Sequence, residues 1–239
     1  MKVRTVNVCV FIAAAAFSLQ CAAKDGAPIR EEFKDLKRWE PFTFPKIKRH
    51  SKYTVHRDDE VTFLKATSRA SASALKCKEA FNPFDYPVLE WRWKVDNVLK
   101  KGDAMKKKGD DYPLRLYVIF DEPKGSGGFF GGIKKFGAKL ATGQDLPHSS
   151  LNYIWANHRH KKRILPNPYT GRAQMVILRQ GKKDVGKWVG ETVNILKDYR
   201  EAFGEDPPRI AHLAIMSDTD NTGEAATAYV DFIELRKKK

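Results

Sequence analysis

Four aspartates and one arginine carry the chemistry that can be read most directly from this 239-residue chain. Asp218, Asp220 and Thr222 fall at alternate positions and Gly223 closes the run. Oxygen side chains in that rhythm, with a glycine to allow a sharp turn, match a calcium-binding loop. On that reading Asp218, Asp220 and Thr222 are the metal-ligating candidates. An EF-hand would also need a glutamate at its twelfth position, where this chain has Tyr229, and no flanking helices are expected. Any calcium would therefore be completed by backbone carbonyls or a distant side chain. The alternative is a polar hairpin loop in which Asp and Asn bond their own backbone.

Asp110-Asp111 with Arg115 forms the second cluster. In a strand that begins near residue 111, Asp111 and Arg115 project the same way. A carboxylate beside a guanidinium suits sugar hydroxyls or an acidic group. A structural salt bridge at a strand entrance is the plainer reading. Crowded carboxylates destabilise a folded loop unless a cation, an arginine or hydrogen-bond donors compensate. The two clusters are therefore expected to converge at one end of the fold. Asp110, Asp111, Arg115, Asp218, Asp220 and Asn221 make up the candidate ligand-binding set, and no residue is assigned as catalytic.

Other features weigh less. Paired carboxylates for glycoside hydrolysis would be drawn from Asp110, Asp111, Glu191, Asp218 and Asp220. Glu191 and Asn194 lie on opposite faces of their expected strand. Trp155 and Tyr117 read either as sugar-stacking platforms or as core. His158-Arg159-His160 sits among Lys161, Lys162 and Arg163 and reads as a solvated basic loop rather than a metal site. No G-x-S-x-G, H-E-x-x-H, paired-cysteine zinc spacing or phosphate-binding glycine loop is present.

The elements that must position these residues are short β-type runs separated by turn residues, the spacing of a sandwich rather than of βαβ units. Strands are expected at 39–44, 53–57, 61–68, 73–78, 88–95, 114–120, 151–157, 173–179, 188–196, 210–216 and 225–235. In 88–95, Leu89, Trp91, Trp93 and Val95 share one face, as core. In 225–235, Tyr229, Asp231, Ile233 and Leu235 share a face, and this strand forms a closing hairpin with 210–216. The one helix expected is 197–203, with Gly204 placed to cap it. The fold class expected is all-β, a mostly antiparallel sandwich of jelly-roll type, as a single domain over 24–239 with its core at about 39–235.

The runs W-R-W-K-V (Trp91 to Val95), K-x-G-D-D-Y-P-x-R-x-Y-V (Lys107 to Val118) and N-Y-x-W-A (Asn152 to Ala156) make a more specific pattern. N-P-Y (Asn167 to Tyr169), W-x-x-E-x-x-N (Trp188 to Asn194) and A-I-M-S-D-T-D-N-T-G (Ala214 to Gly223) complete it. Together they resemble a bacterial family catalogued as domain of unknown function 3047, from about Trp39 to Leu235. That resemblance implies an exported single-domain protein and no particular chemistry. The ending A-x-V-D-F-I-E-L is similar to the last strand of jelly-roll carbohydrate-binding modules.

Lys2 and Arg4, the apolar run Val6 to Phe17 and Cys21-Ala22-Ala23 read as a signal peptide over 1–23, cut after Ala23. A lipoprotein anchor on Cys21 is the alternative, with Gln20 a poor neighbour for it. A periplasmic or secreted protein follows. Cleavage removes Cys9 and Cys21 and leaves Cys77 alone, so no intramolecular disulfide is expected. The formal net charge of +15 falls to +13 once Lys2 and Arg4 are gone. Such a surplus favours a carbohydrate or another anionic envelope component as partner, and export argues against nucleic acid. Nothing after residue 23 is apolar enough to span a bilayer. Phe129 to Thr142, with Ile133, Phe136 and Leu140 at helical spacing among lysines, is a candidate for peripheral membrane contact. Three function classes result: an extracellular carbohydrate-binding protein, a carbohydrate-active enzyme, and an envelope protein held by charge to anionic surfaces.

Overall fold

The structure is a computed structural model that describes residues 29–58, 61–121 and 149–237. The expected leader and the candidate amphipathic segment 129–142 lie outside the described residues. Thirteen strands and one α-helix follow in order among the described residues, with a single 3-10 turn at Lys107–Gly109. They are β1 (Ile29–Glu31), β2 (Trp39–Phe42), β3 (Lys52–Asp58), β4 (Val61–Arg69), β5 (Ala72–Phe81), β6 (Val88–Val95) and β7 (Tyr112–Asp121). Then come β8 (Ser149–Ala156), β9 (Ile164–Asn167), β10 (Thr170–Gln180), β11 (Val189–Asn194), α1 (Ile195–Phe203), β12 (Ile210–Asp218) and β13 (Ala225–Arg236).

The strands form two sheets. The first runs β11-β6-β13-β4-β3 with β1 also on β13, and the second runs β2-β5-β12-β7-β8-β10-β9. The pairs β4·β13, β5·β12, β6·β11 and β7·β8 are nested antiparallel neighbours, which is the jelly-roll arrangement. Among the described residues the one parallel pair is β8 with β10, which returns to β8 by way of β9 at the sheet edge.

Alternation in β6 places Leu89, Trp91, Trp93 and Val95 inside. Trp91 meets Tyr153 at 5.5 Å between ring centroids, and Trp93 meets Trp155 at 5.8 Å, so aromatics from β6 and β8 join the two sheets. Trp155 is core, as is Cys77 on β5.

Three expectations need correction. The polar run after β12 is not a hairpin, because β12 lies in the second sheet and β13 in the first. Residues 219–224 form an arch across one end of the sandwich. The face assignment in β13 fails at Asp231, where a bulge shifts the register on β6. Ala226, Ala228 and Val230 point inward before it and Ile233 and Leu235 after it, so Tyr229 does not share their face. The strand expected over 188–196 stops at Asn194, whose side chain accepts from Lys197 N at 2.9 Å and starts the helix two residues early. β1 and β9, three and four residues long, were too short to read from periodicity.

Candidate functional site

Three connections cross between the sheets at the end of the sandwich where Ala72, Tyr112 and Asp218 stand in register: β4 to β5, β6 to β7, and β12 to β13. The candidate residues come from the second and third of these. In the β6–β7 crossover, Asp103 N and Asp111 N both donate to Gly109 O, at 2.7 and 2.8 Å. A Cβ at Gly109 would sit 2.6 Å from Asp103 N, so the tight turn requires glycine. That turn sends Asp110 and Asp111 in different directions.

Asp110 faces β7. Its carboxylate accepts from Arg115 Nη1 at 3.3 Å and from Asn167 Nδ2 at 3.0 Å. Arg115 Nη2 reaches the Asp218 carboxylate, whose other oxygen accepts from Tyr112 N at 3.2 Å. One guanidinium, 4 % exposed and flanked by the Tyr112 and Tyr117 rings, therefore serves two buried carboxylates. Asp111 faces the arch, accepting from Asn221 N at 3.4 Å, Asn221 Nδ2 at 2.9 Å and Thr222 N at 2.7 Å. The expected Asp111–Arg115 pairing is thus replaced by Asp110–Arg115–Asp218, because residue 111 still belongs to the turn.

All six candidate ligand-binding residues and Thr222 meet at this end. The carboxylate oxygens of Asp111, Asp218 and Asp220 lie within 4.8 Å of one another. Thr222 contributes its amide to Asp111, while its hydroxyl lies 3.5 Å from Thr219 O. Asp110, Arg115, Asp218, Asp220 and Asn221 line an open pocket of about 220 Å³ with Tyr169. Sequence reasoning missed Asn167 and Tyr169 as site residues. Tyr169 Oη donates to Lys107 O at 3.0 Å and lies 3.3 Å from Asn221 Oδ1, which ties β9–β10 to the arch. The N-P-Y run was the available signal, but nothing local showed that it reaches residue 221.

Of the two remaining candidates, Glu191 lies away from the pocket and Tyr117 stands beside Arg115 at its edge. Glu191 accepts from Trp93 Nε1 at 3.1 Å and Arg179 Nε at 2.7 Å. Tyr117 packs with Met216, Ala214 and Phe44 on the outer face of the second sheet.

Burial pushes the Asp110, Asp218 and Asp220 carboxyls up from their ordinary values, and Arg115 opposes this at each. For Asp220 the nearby Asp111 charge reinforces burial. A raised folded pKa stabilises the fold below the unfolded value of about 3.9, and that stability is lost as pH rises through the folded value. Asp220→Asn is therefore expected to raise the melting temperature at neutral pH and to change it little near pH 3. Thermal melts at the two pH values check this.

Gly223 holds φ +71 and donates to Thr219 O at 2.9 Å, closing the arch. Its Cβ position is open space, so Gly223→Ala costs only backbone strain. A loss of about 1 kcal/mol is expected in urea unfolding.

Comparison with known proteins adds a family. Residues 37–234 match the family described as Protein of unknown function (DUF3047). The chain belongs to that family. No curated protein matches it. Among solved structures it is similar to a family 11 carbohydrate-binding module from Clostridium thermocellum, at 8% identity and a TM-score of 0.40, covering 88% of this chain and 94% of that one. It is also similar to the metal-free lectin I-B4 from Griffonia simplicifolia, at 9% identity and 0.43, covering 90% and 100%. A third is the xylan-binding CBM22-1 domain of Paenibacillus barcinonensis Xyn10C, at 16% and 0.36, covering 91% and 100%.

Proposed function

We propose that this chain is an exported binding protein whose ligand, a carbohydrate, enters the pocket between Arg115, Asp220, Asn221 and Tyr169. The observation that carries this reading is the excess of acceptors at the pocket. Asp110 and Asp218 share one guanidinium, Asp220 makes no ion pair among the described residues, and all three line the opening. Carboxylates fixed by an arginine accept from sugar hydroxyls in defined directions. Arg115 keeps Nε without a hydrogen-bond partner, and the half-buried Tyr169 ring supplies an apolar wall.

The carboxylate-pair enzyme is the weaker reading, since Asp110, Asp111 and Asp218 are already engaged by donors within the fold. The oxygens of Asp111, Asp218 and Asp220 have the chemistry of a calcium ligand set. Here, however, Arg115 supplies the positive charge on Asp218, and three donors occupy Asp111. Saturating calcium is accordingly expected to leave the melting temperature unchanged. A rise that Asp220→Asn abolishes would assign the cluster to the ion instead.

The test is an array of neutral and acidic oligosaccharides probed with the protein cut after Ala23, with and without calcium. Glycans bound by the native protein are expected to bind Asp220→Asn and Asn221→Ala at least about tenfold more weakly, about 1.4 kcal/mol. Equal binding by both variants would remove the pocket from the reading. Export is tested separately: the protein isolated from its own cells is expected to begin at Lys24, and a lipid on Cys21 would overturn the soluble form. No helix among the described residues is long and apolar enough to cross a membrane.

A further inference from the structure

The outer face of the first sheet does not look like an ordinary solvated face. Such a face usually carries polar side chains. This one carries three half-buried rings, none of them part of the core: Phe63 on β4, Tyr229 on β13 and Trp188 just before β11. Their centroids lie 5.8 Å (Phe63–Trp188), 5.8 Å (Phe63–Tyr229) and 6.1 Å (Trp188–Tyr229) apart, and His56 stacks on Phe63 at 5.9 Å.

Cations surround the rings. Tyr229 stands in register with Lys65 on one side and Lys94 on the other. Lys94 Nζ lies 4.2 Å from the Tyr229 centroid and 5.4 Å from that of Trp188, and Lys65 Nζ lies 5.9 Å from Tyr229. The Arg92 guanidinium stands 5.3 Å from Trp188 and also pairs with Asp231 at 2.5 Å. Lys65 and Lys94 pair with no carboxylate among the described residues. Their charge is left for something that is not part of the described chain.

The positive face continues along β4. Phe63, Lys65, Thr67 and Arg69 alternate onto one side, a span of roughly 20 Å. At Thr67 it opens into a cleft of about 550 Å³ lined by Arg49, His50, Lys52, Arg69 and Thr227. We propose that this track, from Trp188 and Tyr229 to the Arg49–Lys52–Arg69 cleft, is a second binding site that takes an acidic polysaccharide. It is independent of the pocket, which opens on the outer side of the other sheet beside Arg115 and Met216.

Charge complementarity selects a polyanion, and the details select sugar. Asp96, which accepts from Tyr229 Oη at 2.9 Å, and Asp231 sit within the track. Carboxylates and the Thr67 and Thr227 hydroxyls can hydrogen-bond the hydroxyls that each unit of an acidic polysaccharide carries and a deoxyribose-phosphate chain lacks. The rings pack against one another instead of projecting, which does not suit insertion into a bilayer interface. Ring faces flanked by ammonium groups can hold the apolar face of a sugar while the cations meet its carboxylate.

The experiment is affinity electrophoresis of the protein cut after Ala23 through gels containing polygalacturonate or neutral dextran. Polygalacturonate is expected to retard the protein, dextran is not, and the retardation is expected to fall with salt. Trp188→Ala and the double variant Lys65→Gln/Lys94→Gln are each expected to weaken retardation at least about tenfold. Lys197→Gln, an exposed cation on α1 at the far end, is expected to leave it unchanged. Three results would overturn the proposal. One is native-like retardation of both track variants. Another is an equal loss in Lys197→Gln, which would make net charge alone responsible. The third is tighter binding, lost in the same track variants, to a single-stranded oligonucleotide or to phosphatidylglycerol vesicles.

Discussion

Replacing Arg115 with methionine is expected to cost about 3–5 kcal/mol of folding stability, the usual cost of removing one partner from a buried ion pair. The guanidinium is 4 % exposed, and it is the group that compensates both Asp110 and Asp218. Methionine fills much of the space but leaves two buried carboxylates facing each other and Asp220. Burial already pushes all three carboxyls up, and without Arg115 the opposing effect disappears. Adding Asp218→Asn to the methionine variant removes one uncompensated charge and is expected to recover part of the loss. The two substitutions should couple by roughly 0.5–3 kcal/mol. Urea unfolding of the four proteins in the cycle measures this, and strictly additive losses would contradict the ion-pair geometry.

Asp111→Ala comes next in size, with an expected loss of about 3 kcal/mol, since hydrogen bonds to a charged group contribute about 1.5–3 kcal/mol each and do not add fully. Its carboxylate is fully buried and holds two consecutive arch amides, those of Asn221 and Thr222, along with the Asn221 side chain. The loss should be local as well as global. Amide exchange at Asn221 and Thr222 is expected to speed up more than exchange at Trp93 or Ile215 in the core. A uniform increase would mean that Asp111 supports the whole fold rather than the arch.

These two residues also show what the sequence could and could not reveal. Period-two alternation placed Leu89, Trp91, Trp93 and Val95 in the core, because a half-buried strand writes that pattern directly. The cost of crowding carboxylates brought Asp110 and Asp111 together with Asp218 and Asp220 across a gap of more than 100 residues. Neither alternation nor charge crowding specifies which side chains pair. Asp111 looked like the mate of Arg115 because alternation was carried one residue too far, into a turn fixed by Gly109. The arch looked like a hairpin because two strands flanking a polar loop read the same whether they pair or cross between sheets. A bulge at Asp231 left no mark in composition, yet it reversed the faces of Tyr229 and Ile233. The aromatic track was illegible for the same reason. Phe63, Tyr229 and Trp188 sit on three elements whose adjacency depends on the jelly-roll strand order.

If a carbohydrate enters the arginine-centred pocket, hydrogen exchange will register it there. Amide exchange would be followed by mass spectrometry with and without the oligosaccharide that binds most strongly on the array. Exchange is expected to slow in the segments 107–112 and 216–224, which hold Asp110, Asp220 and Asn221, and to stay unchanged in α1. Unchanged exchange in both segments, with protection only along β4 and β13 around Lys65 and Tyr229, would contradict it and leave the outer track as the site for that sugar.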